Sequence, residues 1–71
     1  MEKVKKDFKR YIDKKLNAKP YTEKQLFILL TEYSVITFQR LTDIYQWALD
    51  LEYGDKKVIS DRLEFFKEVY K

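Results

Sequence analysis

Only two residues punctuate this chain: Pro20 is its one proline and Gly54 its one glycine. Tight hairpin turns draw on these two residue types, so their scarcity weighs against a fold of many short strands. Long helical segments joined at two points are the alternative, and the hydrophobic pattern agrees. Val4, Phe8, Tyr11, Ile12 and Leu16 recur at spacings of three and four, which predicts an amphipathic helix over residues 2–17. Pro20 disfavours helix at Lys19, so residues 17–21 read as a loop. Thr22 followed by Gln25 is a capping-box signature, and Tyr21 with Leu26 fits the accompanying hydrophobic staple. Toward the far end, Asp55 is an N-cap candidate for a helix over residues 55–70. Val58, Ile59, Leu63, Phe66, Val69 and Tyr70 repeat there at helical spacing.

The stretch between these helices decides the architecture. Residues 22–53 contain no helix breaker, and Gly54 is the first residue suited to a C-cap. At about 100° per residue, Gln25, Glu32, Gln39, Asp43, Gln46 and Asp50 fall on one polar stripe that keeps its phase throughout. The pattern predicts one helix of about 30 residues, roughly 45 Å long. The expected fold class is therefore all-α, a single domain over residues 1–71. A long central helix is flanked by two shorter antiparallel helices. Two helices of half its length cannot cover a rod that is apolar around most of its girth. The pattern thus also predicts a helical homodimer, in which a second copy covers the remainder. A competing reading breaks the central segment near Ser34, where Val35, Ile36 and Thr37 are β-branched, and gives a compact four-helix monomer.

A chain of 71 residues keeps a large share of its surface exposed even when folded. Chains of this size rely on disulfides, metals, association or dense packing. Cysteine and histidine are both absent. Their absence removes disulfides and the usual zinc sites, together with the commonest general base and the best nucleophile. Ser34 and Ser60 have no histidine to activate them. The expectation is a protein that is not an enzyme and carries no cofactor. Asp50, Glu52, Asp55 and Asp61 gather around Gly54 and loosely resemble a calcium loop. Counted from Asp50, however, glycine stands fifth and aspartate twelfth, where an EF-hand needs glycine sixth and glutamate twelfth. No metal site is expected.

Packing material is plentiful: twelve residues are aromatic, six of them tyrosines. So many tyrosines cannot all be central in so small a core, and exposed aromatics are favoured interface anchors. Tyr33, Phe38, Tyr45, Trp47 and Tyr53 are the candidate partner-interface residues. Charge is unevenly spread. Residues 1–24 hold nine basic and four acidic side chains, and the remainder holds six and eight. Lys3, Lys6, Arg10 and Lys14 lie near one face of the first helix at a spacing suited to phosphates, which makes them candidate nucleic-acid contacts. A helix-turn-helix over Thr22–Leu41, with Ser34, Thr37, Gln39 and Arg40 on its recognition helix, matches less well. Phe27 stands where such motifs use a small residue, and no glycine marks the turn.

The longest apolar run, Leu26 to Leu30, is far too short to span a bilayer, and the N-terminal lysines are followed by no signal-like apolar core. A soluble, cytoplasmic protein with no membrane partner is expected. The functional expectation is a small non-catalytic helical regulator or inhibitor that occupies a surface of a larger protein. Such chains are typical of phages and mobile elements, where they block a host protein. The alternative is a small DNA-binding transcriptional regulator using the basic first helix or a bent helix-turn-helix.

Overall fold

The computed structural model describes residues 2–17 and 20–70. Among them the chain forms four helices and no strand: α1 (Glu2–Leu16), α2 (Glu23–Thr37), α3 (Leu41–Asp50) and α4 (Lys56–Val69). The all-α expectation holds, but the three-helix architecture does not. In place of one central rod over residues 22–53 stand α2, with 15 residues, and α3, with 10.

The break has a local cause. Val35, Ile36 and Thr37 close α2 with β-branched side chains, which fit a helix poorly. The Thr37 hydroxyl donates back to the Tyr33 carbonyl at 2.7 Å. Phe38 then adopts a left-handed backbone, φ 58° and ψ 27°, which ends the helix without a glycine. The Ser34 hydroxyl donates to the Gln39 carbonyl at 2.6 Å and pins the reversed strand of chain to α2. Arg40 is extended and opens α3. Helix runs unbroken through residues 31–37, and the turn falls just beyond, at residues 38–40. Three residues are less than one helical turn, so the polar stripe keeps its phase in the sequence although the axis is re-aimed.

The other punctuation behaves much as its chemistry dictates. Thr22 and Gln25 form the reciprocal capping box, with hydrogen bonds of 3.1 and 2.9 Å. Asp55 caps α4 by accepting from the Lys57 and Val58 amides. After α3, however, Glu52 rather than Gly54 takes the left-handed position, at φ 63°. The Tyr53 amide bonds to the Ala48 carbonyl and the Glu52 amide to the Leu49 carbonyl, the two bonds of a Schellman motif. Gly54, at φ +70°, has a different task. A Cβ there would lie 2.7 Å from Leu26 Cδ2, so glycine lets the loop close onto α2. The Tyr21 hydroxyl accepts from the Gly54 amide at 3.1 Å and ties the two loops together. The effect of Pro20 on Lys19 lies outside the described residues.

Turned back on itself, α3 packs between α2 and α4, and α1 packs against α2. Phe8, Ile12, Leu26, Leu30, Tyr33, Ile44, Tyr45, Ala48, Ile59 and Leu63 form one buried cluster to which all four helices contribute. The premise of a rod too greasy to sheathe is therefore corrected, because its two halves cover one another. A dimer built on paired central rods has no basis in this fold. Among the described residues no helix is long and apolar enough to cross a membrane.

Candidate functional site

The five aromatic residues singled out from the sequence have different fates. Tyr33 and Tyr45 are core residues, 6% and 1% exposed. Tyr33, Trp47 and Tyr53 surround the ring of Phe8 at centroid distances of 5.3, 5.7 and 6.2 Å, and so form the socket that receives α1. Tyr53 also donates from its hydroxyl to the Asp13 carboxylate. Lys9 and then Tyr53 hold the Asp13 carboxyl below its ordinary range, while burial and the Asp13 charge push the Tyr53 phenol well up. These contacts are internal. Phe38 alone of the five stands free, with 94% of its surface exposed.

Phe38 sits at one end of a larger apolar face. The Arg62 guanidinium of α4 lies 3.9 Å from the Phe27 ring centroid of α2. Further along, Tyr70 shares a hollow of about 600 Å³ with Ser34, Arg40 and Leu41. The two helices therefore run in the same direction with α3 beneath them. Between them lies an open groove of about 610 Å³. Its floor is aromatic: Phe27 stacks on Tyr45 at 6.1 Å, and Tyr45 meets Phe66 edge-on at 5.0 Å. Burial raises the Tyr45 phenol above its ordinary value, and the Arg62 charge opposes that rise. Phe65 and Tyr70 continue the row from Phe66 at 5.8 and 6.0 Å. Along the face Ile28, Val35, Phe65, Val69 and Tyr70 are 48 to 69% exposed. Phe65, Val69 and Tyr70 gather at the end of α4, and soluble monomers seldom leave large apolar clusters in water.

Sequence reasoning named Phe38 but passed over Ile28, Val35 and Phe65 as contact residues. A signal was available in α4. Phe65 falls about 120° or more from Ile59 and Leu63 on a helical wheel, outside any stripe those core residues define. The same signal was available in α2, where Val35 falls about 140° to 180° from Leu26, Leu30 and Tyr33.

The basic candidates Lys3, Lys6, Arg10 and Lys14 all lie exposed on α1. The residues proposed for a recognition helix do not share one: Ser34 and Thr37 end α2, and Gln39 and Arg40 lie in the turn. Their hydroxyls bond to the carbonyls of Gln39 and Tyr33. Among the described residues no three carboxylates converge on a point where a metal ion could be held. Comparison of the chain with family models, with curated proteins and with solved structures found no match.

Proposed function

We propose that this chain is a non-catalytic binding protein that occupies the surface of a larger protein through the apolar face of α2 and α4, with Phe38 as its anchor. One observation carries the reading. A phenylalanine is held in a left-handed backbone that bulky residues rarely adopt, and 94% of its surface is in water. Strained, exposed aromatics of this kind are typical of contact points, where a ring enters a pocket on the partner. The groove behind it suits an amphipathic helix, because the α2 residues that line it, Glu23 to Glu32, span about 14 Å, and Phe27, Tyr45 and Phe66 form an apolar floor edged by Glu23, Lys24, Glu32 and Arg62. Regulation or inhibition by occupancy follows from such binding alone and needs no histidine or cysteine, of which the chain has none.

The test is site-directed photo-crosslinking in the cell that makes the protein. A crosslinking amino acid in place of Phe38 or Phe65 is expected to trap one larger protein. The same group in place of Glu64, exposed about 100° from Phe65 and 140° from Val69 around α4, should not trap it. Equal trapping at all three positions, or adducts only between copies of the chain, would overturn the reading.

A second copy is the competing occupant, favoured by the size of the face. Phe38, Phe65 and Tyr70 together offer roughly 400 Å² of exposed ring surface. Ile28, Val35 and Val69 bring the total toward the ~800 Å² that each partner of a standard interface buries. Sedimentation then reads twice the single-chain mass, reduced to one by Val69→Glu.

A further inference from the structure

We infer that the outward face of α1 is a separate binding site for the phosphate backbone of a nucleic-acid duplex. Lys3, Lys6, Arg10 and Lys14 fall within an arc of about 80° on a helical wheel, directly opposite the arc that holds Phe8 and Ile12. All four are exposed, and none takes part in an ion pair among the described residues. Lys5 and Lys9, which lean toward the body of the molecule, are matched instead by Asp50 at 3.0 Å and Asp13 at 2.6 Å. Among the described residues Asp7, beside Lys14 and Lys3 at the edge of the stripe, is an acid with no ion pair, and it offsets one of the four positive charges, which leaves an excess of about three. Lys6, Arg10 and Lys14 also follow one another at intervals of four, an arrangement in which like charges repel along the helix. The helix carries this row against its own stability.

The surroundings of the stripe select among anionic partners. An amphipathic helix that binds a lipid surface must offer its apolar face to the bilayer. Phe8 and Ile12 are 0% exposed, sealed into the core. Single-stranded nucleic acid is held by bases stacked on exposed aromatic rings. The one aromatic of α1 besides Phe8 is Tyr11, half-buried against Tyr33 at 5.0 Å. What remains is a row of flexible cations spanning about 16 Å, suited to contacting successive phosphates without reading bases. The row lies on the side of α2 away from the groove, so both sites can be filled at once.

Fluorescence anisotropy with a 25-base-pair DNA duplex tests this, on the wild-type chain between 50 and 200 mM salt. The expected logarithmic dependence of affinity on salt has a slope of about −3 to −4, from roughly −0.9 per phosphate and up to four contacts. Arg10→Glu with Lys14→Glu should weaken binding at 50 mM salt at least tenfold while the helical circular dichroism is retained. Lys56→Glu with Lys57→Glu, the same charge change on α4, should weaken it by less than threefold. Phe38→Gly should leave it unaltered, so this proposal can fail while the docking face stands, and the reverse. Absence of binding at 50 mM salt, preference for the single strand, or equal losses in the two double variants would overturn it.

Discussion

Phe38 is where strain and exposure meet, and the two make opposite demands. A non-glycine residue in the left-handed region costs about 1–2 kcal/mol, and a ring 94% exposed returns little by burial. Phe38→Gly should therefore stabilise the isolated chain by about 1 kcal/mol, read as a higher urea midpoint at unchanged slope. Crosslinking through Phe65 should disappear in the same variant. A lower midpoint would mean that the ring packs against the fold. Gly54 is the converse case. Gly54→Ala places a Cβ 2.7 Å from Leu26 Cδ2 at a φ of +70°, and should cost about 2–3 kcal/mol in the same denaturation assay. The sequence made Gly54 visible as a stop, but not that Glu52 would hold the left-handed position and free the glycine for close approach. That choice depends on Leu26 arriving from another helix, a contact no local pattern encodes.

At the scale of elements, α1 is the helix held most by polar contacts. Lys5 to Asp50 and Tyr53 to Asp13 link it to the α3 end and the following loop, and Lys9 holds the Asp13 carboxylate from within α1. These links make stability depend on pH at both extremes. The Asp13 and Asp50 carboxyls are held below their ordinary values, by Lys9 and Lys5 first. Below about pH 4 the unfolded chain therefore takes up protons before the native one does, and stability falls as the pH drops through the folded values. Tyr53, Tyr45 and Tyr33 are all raised, chiefly by burial. The stability they contribute is complete below about pH 10 and is lost as pH rises beyond it, because the unfolded tyrosines ionise first. Urea midpoints between pH 8 and 11 should fall in the wild type and fall less steeply in Tyr53→Phe. An identical slope in the variant would show that Tyr53 is not coupled to folding. The helix ends were legible because each cap is a local contract between neighbours: Thr22 with Gln25, and Asp55 with the amides that follow it. The end of α2 was not. The residues there looked like ordinary helix with some β-branching, and the turn needs Phe38 in a conformation that sequence statistics assign to glycine or asparagine.

For the whole molecule, one three-residue turn decides what is inside and what is left outside. With α2 and α3 joined into a rod, Leu30, Ile44 and Tyr45 would need cover from another chain. With the turn in place they bury one another, and the uncovered surface becomes the face between α2 and α4. The class of fold and the apolar periodicity were readable in the residues. The location of the docking face was not, because it is defined by helices that meet only after the chain reverses at Phe38. The absence of native cysteine permits a direct check by pulsed electron spin resonance on spin labels attached at Lys24→Cys and Asp50→Cys. A reversed chain, with Gly54 closed onto Leu26, places the two backbone positions less than about 25 Å apart. A distance near 39 Å, roughly 1.5 Å for each intervening residue of one continuous helix, would contradict the turn and with it the docking face.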